Sequence, residues 1–340
     1  MIFDAHHRGM SDLRLSLTDR CNLRCFYCMP RTHYNWLPKA DMLSFEEISS
    51  LVELFLSMGV HKLRLTGGEP LLRKNLTKLI CLLANKPQLE DFALTTNGVA
   101  LAPLALSLKE AGLHRLTVSL DSLQPQRFEH ISKRNSHRQV LQGIDAATQA
   151  GFPKKLKLDS VIIRGFNDDE LPALLHFAHE RNVEIRFIEY MDVAGALGWS
   201  WEQVVVRQEM LRRIEQSFGT ALALEAADAA PAQRYQLSNG TTFGIIASAS
   251  APFCEKCNRI RLSADGKLFA CLYASEGLDL KKELRAGKTP SELQQLIHSF
   301  WKQRTEKGAE QRLQLKNRRA FKTEKELLEN PHLEMHKRGG

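Results

Sequence analysis

Six of the seven cysteines fall into two sets of three. Cys21, Cys25 and Cys28 are separated by three and then two residues, while Cys254 and Cys257 are separated by two and Cys271 follows after thirteen more. Three thiolates on one loop can hold three irons of a cubane cluster and leave the fourth iron to a small ligand that offers an amine and a carboxylate. The plainer reading of the first set is a structural zinc or ordinary iron–sulfur site, since zinc also accepts thiolates. No nearby histidine completes a zinc tetrad in the second set, although His298 could approach it in three dimensions. Cys81 lies in an apolar stretch and is expected in the core. The odd total and the tight spacing argue against a secreted disulfide scaffold and for thiolates kept reduced.

Other residues gather around these sets in sequence. Gly67, Gly68, Glu69 and Pro70 follow directly on a β-like run, where glycines permit close backbone approach and Glu69 can accept a hydrogen bond from a ligand amine. Thr95, Thr96 and Asn97 end another run, and Ser119 and Asp121 end a third. Each could bind ligand hydroxyls, although turns and helix caps use the same residue types. Arg259 and Arg261 alternate, so both guanidinium groups share one face if the segment is extended, a pairing suited to phosphate or purine. An exposed, merely solvated pair is the bland alternative.

The elements that must carry these residues alternate between short β-like runs and longer helical periods. Strands are expected at 13–17, 62–66, 92–95, 116–120, 156–163 and 185–190, with helices at 45–58, 75–84, 104–111, 138–150 and 170–181. Six βα-like units result, and parallel strands covered by helices imply an α/β fold, a partial or complete barrel, with an open doubly wound sheet as the alternative. After a helix at 209–218, the alanine-rich stretch 221–232 reads as a variable connection and suggests a boundary, giving 1–220 and 221–340. A strand at 242–247 and a helix at 291–302 follow it.

Composition sets outer limits. In 340 residues an apolar share of 43% is ample for a core, and no apolar run is long enough to cross a bilayer. A soluble protein is expected, and without a secretory signal in the first ten residues a cytoplasmic one. The net charge of +8 could attract RNA, an anionic surface or a phosphorylated metabolite. Much of it lies after residue 300, where basic and acidic residues are interspersed as on a solvated tail rather than a nucleic-acid stripe.

The Cys21, Cys25 and Cys28 spacing, with the Gly67 to Pro70 segment, resembles the radical S-adenosylmethionine superfamily. A closer resemblance covers most of the chain. Leu13 to Pro30, Gly67 to Pro70, Thr95 to Gly98, Arg186 to Met191 and Cys254 to Leu272 are together similar to the molybdenum cofactor biosynthesis protein A family, the GTP 3',8-cyclases. The two separated cysteine sets with Arg259 and Arg261 between their members are the discriminating combination.

That resemblance implies a partial (βα)6 barrel of the TIM type with a C-terminal auxiliary-cluster region, and two [4Fe-4S] clusters with S-adenosylmethionine as cosubstrate. The first cluster, on Cys21, Cys25 and Cys28, would generate a 5'-deoxyadenosyl radical. The second, on Cys254, Cys257 and Cys271, would bind the guanine of GTP. Hydrogen removal from ribose C3' and attack on purine C8 would give (8S)-3',8-cyclo-7,8-dihydroguanosine 5'-triphosphate. Tyr27, Gly68, Glu69, Thr96, Asn97, Ser119 and Met191 would contact S-adenosylmethionine, and Arg14, Lys62, Arg64, Lys157, Arg186, Arg259 and Arg261 would surround GTP. Gly339 and Gly340 are similar to the family's terminal glycine pair, with Arg338 in place of the usual apolar residue before them. Implied partners are an external electron donor, a second copy in a homodimer, and cyclic pyranopterin monophosphate synthase as recipient of the product; neither membrane nor nucleic acid is expected. A peptide-modifying radical enzyme with an auxiliary cluster, and a zinc-stabilised RNA-binding protein, are the alternatives.

Overall fold

In the computed structural model, which describes residues 2–225 and 229–339, leucines alternate with charged residues along the first two strands, β1 (Asp12–Ser16) and β2 (Lys62–Thr66). Leu13, Leu15, Leu63 and Leu65 are almost fully buried in the main core, whereas Arg14 and Arg64 occupy the opposite face. The same parallel pairing continues through β3 (Asp91–Thr96), β4 (Arg115–Ser119), β5 (Lys157–Ile162) and β6 (Glu184–Glu189).

Helices α1 (Phe45–Ser57), α2 (Leu76–Ala84), α3 (Ala105–Glu110), α4 (Pro125–Ser132), α5 (His137–Ala150) and α6 (Leu171–Glu180) lie between these strands in sequence. The start of α1 is fixed by a capping box, in which Ser44 accepts from the Glu47 amide and Glu47 accepts from the Ser44 amide. Its apolar face, including Leu51, Val52 and Phe55, is buried; Phe55 alone contributes roughly 2–3 kcal/mol of burial. Cys81 is exposed, contrary to expectation, because α2 buries Leu76, Leu79, Ile80 and Leu83 and leaves Cys81 on its solvent side. Helix α4, led by Pro125, was not anticipated from the periodicity.

Past α7 (Arg207–Phe218) the chain returns to the same sheet. Part of the stretch expected as a loose connection is strand β7 (Ala221–Ala223), which pairs with β8 (Gln233–Leu237); residues 226–228 lie outside the described residues. β9 (Thr242–Ile246) pairs in parallel with β6, and β10 (Arg259–Leu262) pairs in parallel with β1. With β11 (Lys267–Phe269) and β12 (Leu278–Asp279) the sheet order is β12-β11-β10-β1-β2-β3-β4-β5-β6-β9-β8-β7. The six expected βα units therefore form an open, partial barrel, and the C-terminal part adds strands to both of its edges. Helices α8 (Leu280–Arg285), α9 (Pro290–Lys302), α10 (Gly308–Leu313) and α11 (Glu324–Glu329) complete the chain. No helix among the described residues is long and apolar enough to cross a membrane.

Candidate active site

The register of three neighbouring strands decides where the arginines stand. Arg261 on β10 lies opposite Arg14 on β1, and Arg14 lies opposite Arg64 on β2, so three guanidinium groups form a row across the sheet. Together with Arg186 and Arg259 they line a cavity of about 270 Å3, which Thr95, Tyr27, Met191, Cys254, Cys257 and Cys271 also border. Lys62 and Lys157, expected beside them, stand on β2 and β5 outside this lining; Lys157 pairs with Glu184 at 2.8 Å.

The row is electrostatically unfavourable without an anion. Burial, reinforced by Arg261 and Arg259, pushes Arg14 down to about 9; burial and Arg14 bring Arg64 to about 9; burial and Arg259 bring Arg261 to about 10. Arg14 and Arg259 each have a buried Nε without a hydrogen-bond partner. Arg186 is held by Asp159 at 2.6 Å, and Arg64 donates to the hydroxyls of Thr95 and Thr117 at 3.0 and 3.1 Å. With five arginines against Asp12, Asp159 and Glu189 in its lining, the cavity keeps a net positive charge that suits a polyphosphate.

Beside it, the first cysteine loop is anchored from three directions. The Gly68 amide donates to the Thr18 carbonyl and the Glu69 amide to the Arg20 carbonyl, both at 2.7 Å. A side chain at Gly68 would collide with the Arg20 carbonyl, so this glycine seats the loop against β2. The Glu69 carboxylate accepts from the Thr96 hydroxyl at 2.7 Å, the Asn97 amide at 2.8 Å and the Leu71 amide at 3.0 Å. Burial nevertheless raises it to about 7. Asn97 Nδ2 donates to Asn22 at 2.7 Å and lies 3.7 Å from the Cys21 sulfur. Tyr27 donates to Asp121 at 2.6 Å, and Asp121 also accepts from the Val161 amide. Ser119 ends β4, half-buried beside Asp159 in the register, and Met191 packs in the aromatic cluster with Tyr190 and Trp199.

Both cysteine sets fit iron–sulfur chemistry on local grounds. Burial pushes the Cys21 and Cys28 thiols up to about 11 and about 12, so thiolates in this loop require a compensating cation, which iron would supply. Gly195 packs on the Cys28 carbonyl, and Gly308 packs on the Tyr273 side chain with the Cys271 sulfur next to it, so a Cβ at either position would press on a cysteine segment. At Cys257 burial is overcome by Arg259 and Arg304, which bring the thiol down to about 6. Among the described residues no three His, Cys, Asp or Glu side chains are drawn together around a single point.

The C-terminal tail reaches the same region. Arg261 Nη1 donates to the Gly339 carbonyl at 2.7 Å and the Arg338 carbonyl at 3.2 Å. Gly339 has φ +65° and packs so closely on the Thr66 hydroxyl that a Cβ would clash. Gly340 lies outside the described residues. Arg338, the departure from the resembling family's pattern, is fully buried and donates to the carbonyls of His332, Leu272 and Ala274 while lying over the Phe269 ring. Reading the sequence missed Asp192, which binds Arg312 and Arg318 and accepts from Tyr273, and Arg304, which contacts Cys257. Neither has a motif; only the fold joins residues so distant in sequence.

An open parallel barrel with three cysteines on the loop after its first strand and a glycine pair after its second defines a radical S-adenosylmethionine enzyme. The family model for the Radical SAM superfamily matches residues 15–178, and that for Molybdenum Cofactor Synthesis C matches residues 183–310. Among solved structures, Streptococcus suis SuiB bound to S-adenosylmethionine shares the fold, with a TM-score of 0.60 at 14% identity over 86% of this chain and 68% of that one. GTP 3',8-cyclase 3 of Mycobacterium bovis is 51% identical over 100% of this chain and 90% of its own length. GTP 3',8-cyclase 1 of Mycobacterium tuberculosis is 52% identical over 99% and 95%, and the GTP 3',8-cyclase of Aquifex aeolicus 43% over 94% and 97%. The chain belongs to the GTP 3',8-cyclase family.

Proposed function

We infer that this chain converts GTP to (8S)-3',8-cyclo-7,8-dihydroguanosine 5'-triphosphate in molybdenum cofactor biosynthesis. The observation that carries the reading is the convergence of five arginines, Tyr27 and the second cysteine set on one cavity. Cys21, Cys25 and Cys28 are the proposed ligands of the cluster that cleaves S-adenosylmethionine reductively and so supplies the 5'-deoxyadenosyl radical. Cys254, Cys257 and Cys271 are the proposed ligands of a second [4Fe-4S] cluster that holds the guanine.

In this reading the arginine row binds the triphosphate, and its buried guanidinium groups recover on binding the charge balance they lack without it. Because radical transfer depends on holding ribose beside the adenosyl carbon, these residues act by orientation rather than by proton transfer. Asp121 fixes the Tyr27 ring, and Glu69 fixes Thr96 and Asn97, so the S-adenosylmethionine contacts are positioned from two further strands. Lys62 and Lys157 are assigned to the outer part of the triphosphate path, and Ser119 and Met191 to the cosubstrate. Residues 1–220 supply the radical-generating unit and 221–340 the auxiliary-cluster and substrate-binding region. The protein is proposed to act in the cytoplasm as a homodimer, to take electrons from an external donor and to pass its product to cyclic pyranopterin monophosphate synthase.

Anaerobic incubation of the reconstituted protein with S-adenosylmethionine, dithionite and GTP tests the reading by mass spectrometry of the product. The cyclised triphosphate is expected together with 5'-deoxyadenosine. Cleavage of S-adenosylmethionine without any change in GTP would reject it. In R259A and R261A, with both clusters intact, GTP affinity and product formation should each fall about tenfold or more, as expected for lost charge-assisted contacts.

A further inference from the structure

The Cys257 sulfur has two guanidinium neighbours of different character. Arg259 Nη2, at 3.5 Å, belongs to a side chain that borders the cavity. Arg304 Nη2, at 3.2 Å, belongs to one that does not, and its side chain is only 1% exposed. Both terminal nitrogens of Arg304 are engaged, while its buried Nε has no partner. Its Nη1 donates to the Cys257 carbonyl at 2.7 Å and pairs with Asp4 at 3.2 Å, and the guanidinium lies 4.4 Å from the Trp301 ring centroid.

The partner Asp4 is fully buried at its side chain and is shared. Its carboxylate also pairs with Arg8 Nε at 2.6 Å and accepts from the backbone amides of His6 and Arg8, each at 2.9 Å. Arg8 in turn donates to the carbonyls of Cys254 at 3.0 Å and Glu306 at 3.1 Å, and accepts at its own carbonyl from Trp301 Nε1. Two buried arginines thus share one carboxylate, so this trio carries one net positive charge beside Cys254 and Cys257, opposed at Cys254 by Glu310. A surplus buried cation is costly unless something anionic offsets it, and cysteine thiolates on a cluster are anionic.

We propose that Arg304 is a positioning residue for the second cluster that raises its reduction potential, and that the Asp4–Arg8 pair holds it in place. One-electron reduction, by whatever donor supplies the electron, adds one negative charge to the cluster. A fixed guanidinium donor on a ligand sulfur stabilises that added charge, so the reduced state is favoured. Asp4 opposes the effect, because its carboxylate offsets part of the positive charge. The inference rests on the proposed ligand role of Cys254, Cys257 and Cys271.

The test is an anaerobic potentiometric titration of the full-length reconstituted protein followed by electron paramagnetic resonance. The two clusters are distinguished by the response of their signals to added S-adenosylmethionine and GTP, and iron and sulfide are quantified on the same samples. In R304M, at a solution potential where the parent's second cluster is half reduced, the reduced-to-oxidised ratio should fall about tenfold, a shift of about 59 mV to lower potential for one electron. D4N retains Arg304 and should shift the same cluster the opposite way; R304K, which keeps the charge and loses the fork, should lie between the parent and R304M. The first cluster should not move in any variant. Unchanged potentials in R304M or D4N with full iron content would overturn the tuning role. So would an R304M protein that folds without its second cluster while D4N leaves the potential where it was, since Arg304 would then serve assembly. A parent protein that binds iron for one cluster only would sink the ligand assignment instead, and is seen before any variant is made.

Discussion

The residues with most at stake are those whose charge or shape has no purpose without a ligand. Arg14, Arg64 and Arg261 repel one another across adjacent strands and are shifted down by burial as well. A fold selected for stability alone gains nothing from such a row. The cysteines of the first loop pose a related problem with the opposite sign, since a thiolate at that depth needs a cation beside it. Alanine at Cys21, Cys25 or Cys28 is therefore expected to halve the iron content, from about eight to about four per chain for two [4Fe-4S] clusters, and to abolish S-adenosylmethionine cleavage. Alanine at Cys254, Cys257 or Cys271 should cost the same iron but leave cleavage detectable while cyclisation is lost. Iron analysis with separate assays of 5'-deoxyadenosine and cyclised product checks both outcomes; equal loss of cleavage in the two groups would refute the division of labour.

Between elements, single contacts fix the loops that the strands carry. Gly68 lies against the backbone of residues 19–20, with a Cβ unable to fit. In G68A the overlap can be relieved only by moving the cysteine loop, at a cost of about 1–3 kcal/mol. Reduced occupancy of the first cluster with a nearly native circular dichroism spectrum is expected, and full occupancy would show that the loop has slack. A second junction lies outside the cavity lining, where Glu209 on α7 joins Arg164 after β5 and Arg213 one turn on, at 2.6 and 2.7 Å. The Arg164 hydrogen bond, assisted by Arg213 against the penalty of burial, lowers the Glu209 carboxyl from 4.5 to about 2. A carboxyl depressed on folding contributes stability that is complete above its unfolded value and lost as pH falls through the folded one. Stability should thus decline between about pH 4.5 and 2, and E209Q should remove that part of the decline and cost about 0.5–1 kcal/mol at neutral pH, a small figure because the arginines are partly exposed. Denaturant titrations of both proteins at several pH values measure it; superimposable pH profiles would discount the junction.

Across the whole molecule, the chain closes on itself at the cavity. The tail enters from the C-terminal side, Arg261 takes the Gly339 carbonyl, and the Arg338 guanidinium binds carbonyls from Leu272, Ala274 and His332. Glu334 pairs with Arg31, just beyond the first cysteine loop, while His336 packs against the Tyr34 and Trp36 rings. Both cysteine regions therefore grip the same tail. R338A removes the buried anchor and should weaken tail docking by about 3 kcal/mol, more than a hundredfold in population, given charge-assisted bonds worth roughly 1.5–3 kcal/mol each. Cyclisation should fall while iron content and melting temperature stay close to the parent's. Proteolysis should release the last residues faster. Normal cyclisation with a proteolytically exposed tail would separate the tail from the chemistry.

Much of this was legible in the sequence because it is local. Cysteine spacing within a loop and the alternation of short β-like runs with longer helical periods depend on neighbours a few residues away, and the six βα units followed from the latter. The exposed Cys81 was misread because an apolar stretch does not reveal which helical face meets the core. What only the tertiary structure decided is pairing over long separations. The Arg14, Arg64 and Arg261 row exists because β10 adds in parallel beside β1, some 245 residues away in the chain, and a register cannot be read from either strand alone. The hold of Asp4 and Arg8 on Arg304, and of Arg338 on three carbonyls, is likewise invisible in composition or period. Buried charges must find partners wherever the folded chain brings them, and that is a property of the whole fold rather than of any segment.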